Sequence, residues 1–90
     1  MELTFAQNAQ GLYEATFEAT GDFALHLERP EKGTIRAKQR TGKTGDYAVV
    51  KGFDHYYDRV IDTAFVGAGF SVSIKIESET MPTLAVVTFK

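Results

Sequence analysis

The stretch Phe70-Ser-Val-Ser-Ile-Lys-Ile-Glu77 places an apolar residue at every second position. Phe70, Val72, Ile74 and Ile76 leave a strand on one side, and Ser71, Ser73, Lys75 and Glu77 leave it on the other. Side chains alternate across a strand, so a period of two specifies a sheet with one dry face and one wet face. The same alternation predicts strands over 2–6, 12–19, 23–28, 34–40, 47–51, 59–66, 70–77 and 83–89. Turn residues at 8–11, 20–22, 30–33, 42–46, 52–54, 67–69 and 78–82 separate them, the cadence of a sandwich or barrel. The expectation is an all-β chain: one antiparallel β-sandwich domain over residues 1–90, jelly-roll or Ig-like, with about seven to eight strands.

The first two long strands carry a register argument. A three-residue loop at 20–22 opposes Ala19 to Phe23, Phe17 to Leu25 and Ala15 to Leu27, so dry meets dry in a hairpin with Gly21 left-handed. Two facing sheets would satisfy the same parity. One segment resists the all-β reading. Between 54 and 66, Tyr57, Val60, Ile61, Ala64 and Phe65 have helical spacing, with Asp54 able to cap the start and Gly67 the end. The alternative is therefore an α+β fold with a short helix within 54–66. Its β-branched and aromatic residues favour strand plus loop.

Ninety residues suffice for one core, and a hydrophobic share of 43% supplies it. The formal net charge of -2 gives no global attraction to nucleic acid or anionic membrane, and neither is expected as a partner. The absence of cysteine removes disulfides, thiolate metal sites and thiol nucleophiles together. No signal peptide or membrane-spanning run is visible. The expectation is cytoplasmic synthesis, compatible with incorporation into a virion or with secretion after earlier processing.

Chemistry is sparse. Thr41-Gly42-Lys43-Thr44 resembles the end of a phosphate loop, but Ala37 stands where its first glycine must be, so the segment reads as a turn. His26 reads as a surface histidine, and Glu14 and Glu18 as the wet face of a strand. No catalytic residue, cofactor or metal site is expected, and the chain reads as a non-enzyme. Arg36, Lys38 and Arg40 alternate to form a basic stripe that Lys43 extends. It either lies against phosphates or an acidic partner, or protects an exposed strand from edge pairing; its own strand carries no aromatic. The densest candidate ligand site is Tyr47, Phe53, Asp54, His55, Tyr56, Tyr57 and Asp58. Its rings could stack on sugars, and its carboxylates and imidazole could bond hydroxyls or a hard cation. The competing reading makes the tyrosines a rim plug and the aspartates loop solvation.

The closing run SVSIKIESETMPTLAVVTFK, over about the final third of the chain, resembles the last hairpin of small β-sandwich structural components of phages and prophages. That resemblance implies a virion or assembly role. The last strand, with Leu84 and Val86 on one face and Ala85, Val87 and Phe89 on the other, calls for cover on both sides. A second subunit or the segment around Leu3 and Phe5 could provide it. Two functions follow: a non-enzymatic protein that associates with itself or with a larger assembly, and, as the alternative, a carbohydrate-binding module built on the Tyr/Phe-rich loop.

Overall fold

The computed structural model describes residues 1–90 and contains eight strands and no helix. They are β1 (Ala6–Gln7), β2 (Tyr13–Ala19), β3 (Phe23–Glu28), β4 (Ile35–Arg40), β5 (Ala48–His55), β6 (Val60–Phe65), β7 (Val72–Ser78) and β8 (Leu84–Phe89). One sheet has the order β1-β2-β7-β4-β5 and the other β6-β3-β8, and all pairings are antiparallel. Residues 1–3 extend the second sheet along β8. Met1 O accepts from Val87 N, Leu3 N donates to Ala85 O, and Glu2 bridges Val86. Counting that segment as the first strand, the sheets run 2-7-4-5 and 1-8-3-6, the double wrap of a jelly roll.

The period-two rows build the core. Ala15, Phe17 and Ala19 of β2 stand opposite Ile76, Ile74 and Val72 of β7, and all six side chains are buried. Phe23, Leu25 and Leu27 of β3, with Ile61, Ala85 and Val87, face them from the other sheet. Burying one such aliphatic or aromatic side chain stabilises the fold by about 1.5–3 kcal/mol, so these alternating rows supply the main cohesive term. The expected reading of the deciding strand holds from Val72 onward. Phe70 lies before β7 and stays largely exposed.

Two expected hairpins are absent. β2 pairs with β1 and β7, and β3 pairs with β6 and β8, so residues 20–22 cross from one sheet to the other. Gly21 has no positive φ. Parity cannot separate a partner beside a strand from one facing it across the core, because both place apolar residues inward. The crossing needs a glycine at 67 for closeness instead: a Cβ there would lie 2.4 Å from the Gly21 carbonyl carbon. Gly67 N donates to Asp22 Oδ1 at 2.7 Å and fastens the two loops. Likewise β7 and β8 belong to different sheets, so the C-terminal run crosses the sandwich rather than forming a hairpin.

The segment 54–66 forms strand, loop and strand. β5 runs on to His55, past the turn expected at 52–54, because Gly52 adopts φ +87° in a bulge. Two steps along β4, from Arg36 to Lys38, face five along β5, from Asp54 to Val49. The cover over β8 comes from the chain itself: Phe5 is buried, and Leu3 packs on the core.

Candidate functional site

Loops gather at the two ends of the sandwich. The starts of β2, β4, β6 and β8 and the ends of β3, β5 and β7 share one end, and their opposite termini share the other. This divides the expected aromatic cluster. Tyr47 precedes β5, whereas Tyr56 and Tyr57 follow it at the far end. Phe53 is 2% exposed and belongs to the core, edge-on to His55 at 4.9 Å. Asp54 points outward beside Arg36, with 4.0 Å between Oδ1 and Nε. His55 Nδ1 lies 2.7 Å from Asp58 Oδ2. Tyr57 is 75% exposed, with the Lys32 ammonium 5.6 Å from its ring centre and Tyr56 edge-on at 4.8 Å. His55, Tyr56, Tyr57 and Asp58 therefore stay together. Tyr47 does not join them, and Phe53 touches His55 only from within the core.

The 56–59 loop owes its shape to a residue outside that cluster. Arg29 is 3% exposed and has no carboxylate partner. Its Nε donates to Asp58 O at 2.8 Å, Nη1 to Gly33 O, and Nη2 to Tyr56 O at 3.0 Å. Gly33 N and Arg29 N add backbone bonds to Tyr56 O and Arg59 O. Burial lowers the guanidinium pKa from its ordinary value, while Asp58 and Glu79 act in the opposite direction. The signal was present in the sequence: Arg29 continues the inward parity of Leu25 and Leu27.

The basic stripe lies on the outer face of the five-stranded sheet, where the neighbouring strands have changed its character. Lys38 Nζ meets Glu77 Oε1 at 2.5 Å, and Lys75 lies 3.7 Å from Glu14. The Tyr47 ring is reached by Arg40 at 4.4 Å and by Lys75 at 4.2 Å. The aromatic missing from the stripe's own strand thus arrives from the residue just before β5. Lys43, in the loop after β4, sits near Glu18, whose pKa is held below its ordinary value chiefly by hydrogen bonds from Ser71 and Ser73. Two adjoining hollows of about 300 and 580 Å³ share Gln10, Lys38 and Glu77, so they form a polar trench along β4.

On the opposite sheet His26 bridges Glu28 and Asp62, at 2.8 and 2.9 Å, and both contacts raise its pKa. At the end of the sandwich where β6 finishes, a cleft of about 100 Å³ opens between the sheets over the stacked rings of Phe23 and Phe65. Val66, 91% exposed, and Phe70 stand at its mouth.

These features define a small jelly-roll β-sandwich with one charged, grooved sheet face and an apolar end. Comparison with known proteins adds no kinship: no family model, curated protein or solved structure matches the chain.

Proposed function

We propose that this protein is a non-enzymatic structural module that assembles with a second copy of itself through the open edge of β6. The observation that carries the reading is the state of the sheet edges. β6 pairs with β3 alone, and no backbone group of the chain bonds its outer side. The other edges are managed. Residues 1–3 cover β8, β5 is broken by its bulge and carries Lys51, and β2 is paired by β1 at Tyr13 and Glu14 only, its open remainder presenting the polar Thr16 and Glu18 outward. Bulges, lysines and covering segments are the usual guards against edge pairing, and β6 has none of them. Its outward residues include the exposed Val60 and Ala64, and Val66 follows directly. The one charge among them, Asp62, is engaged by His26.

Two copies meeting antiparallel about a twofold axis would satisfy both edges with one self-complementary surface. The apolar mouth at Val66 and Phe70 would be covered in the same step. An assembly role of this kind agrees with what the resemblance to phage and prophage components implies. The support here is the edge, since the resembling C-terminal run forms no hairpin.

Sedimentation velocity across a wide concentration range tests the proposal. The wild-type chain should sediment as a discrete oligomer, and Ala64→Lys with Val66→Lys should be monomeric with an unchanged circular dichroism spectrum. A wild-type chain that is monomeric at every concentration would refute it.

A further inference from the structure

A cluster of cations lies where β4, β7 and the start of β5 meet on the outer face of the five-stranded sheet, away from the β6 edge. Lys38 and Lys75 are direct cross-strand partners in the β4–β7 register. Like charges placed opposite each other work against sheet stability, so the sheet retains an arrangement that packing alone would discard. Glu77 engages Lys38 closely, but Lys75 has its nearest carboxylate only at 3.7 Å. Arg40 has no carboxylate at all. Its Nη1 donates to Gly45 O, its Nε has no acceptor, and its plane lies by the Tyr47 ring. Two cations are thus held beside one tyrosine, Arg40 with no carboxylate in direct contact and Lys75 with Glu14 only at the longer distance.

The rest of the trench selects among anions. Its walls are polar: Tyr47 is the only aromatic or aliphatic side chain lining the larger hollow, and Leu12 the only one in the smaller. A protein partner binds best where aromatic and Arg anchors sit in a desolvated apolar pocket, and here Tyr47 and Arg40 stand among polar side chains instead. Asp46 and Glu77 lie among the cations and would repel a nucleic-acid duplex, with about one charge per 1.7 Å of its axis, more than a glycan with one anionic group per sugar unit. The same carboxylates, with Gln10, can accept from and donate to hydroxyls.

We infer that this trench binds an acidic glycan, with Arg40 and Lys75 holding the anionic group of one sugar unit and Glu77, Asp46 and Gln10 bonding hydroxyls along the chain. Arg40 suits a planar carboxylate or a sulfate through its fork, and Lys75 adds a point charge.

The test is isothermal titration of the full chain with polygalacturonate, chondroitin sulfate, neutral dextran and poly-L-glutamate. Binding is expected to the acidic glycans and not to dextran; which of the two is tighter separates carboxylate from sulfate recognition. Raising the salt should weaken it. Arg40→Gln with Lys75→Gln should bind at least tenfold more weakly while melting near the wild-type temperature. Lys51→Gln, on the bulged edge, should bind as the wild type does. No binding to either acidic glycan would overturn the inference. So would equal binding to poly-L-glutamate, which would make the surface a mere polyanion patch, or unchanged binding in the double variant.

Discussion

Replacing Arg29 with methionine isolates what holds the 56–59 loop to the sandwich. Methionine retains much of the apolar stem and removes the guanidinium. Three acceptors are affected, but unequally. Tyr56 O keeps its bond from Gly33 N, while Asp58 O and Gly33 O are served by the guanidinium. A hydrogen bond from a charged donor contributes about 1.5–3 kcal/mol, and the desolvation that lowers the Arg29 pKa offsets part of that. Two lost bonds, less the relief of no longer burying a cation, leave a destabilisation of about 2–4 kcal/mol. For a domain of this size each kcal/mol moves the melting temperature by about 4–8 °C, so the expected fall is about 8–32 °C. Thermal melts followed by circular dichroism measure it directly. Urea titration should show a lower midpoint with an unchanged slope, since the unfolded surface is the same. Arg29→Lys keeps the charge but cannot serve three carbonyls from one fork, and it should fall between the two. A methionine variant melting within about 3 °C of wild type would refute the clamp, because a loss that small is an ordinary surface effect.

Gly67→Ala should destabilise by about 2–4 kcal/mol in urea titrations, because its Cβ would meet the backbone of Gly21 and Asp22, which cannot swing aside. Gly21→Ala should be nearly silent, since nothing lies within 4 Å of a Cβ there; equal effects would contradict the close crossing. Gly52→Ala, at φ +87°, should cost about 1–2 kcal/mol and loosen the β5 bulge, seen as faster amide exchange around it. The raised pKa of His26 means that its charged form favours the folded state. That stabilisation is complete below the ordinary value of 6.5 and is lost as pH rises through the higher folded-state value. Melts of wild type against His26→Gln should therefore differ at acidic pH and converge at alkaline pH, and a pH-independent difference would disprove the bridge to Glu28 and Asp62.

The candidate site was legible in pieces. Arg36, Lys38 and Arg40 could be placed on one face by parity alone, since all three belong to one strand. That Lys75 faces Lys38, that Glu77 neutralises it and that Tyr47 reaches the same cations depends on strand neighbours, which local pattern does not encode. The tyrosine-rich segment misled for a related reason. Nearness in sequence from 47 to 58 suggested one cluster, but an extended strand carries its two ends to opposite ends of the sandwich.

The alternation of Val72, Ile74 and Ile76, and its counterparts in β2, β3 and β8, by itself determined an all-β chain and the dry face of each strand, because that pattern is a property of single strands. Only the tertiary structure decided which strands share a sheet. Residues 20–22 and 79–83 both join strands of matching parity, and both cross between sheets instead of turning back within one. Hydrophobic burial rewards either choice about equally. The observed arrangement makes long-range contacts: the covering of β8 by residues 1–3, the close approach of 67 to 21, and the Arg29 clamp across 33, 56 and 58. Each joins residues far apart in the chain, where a local period carries no information.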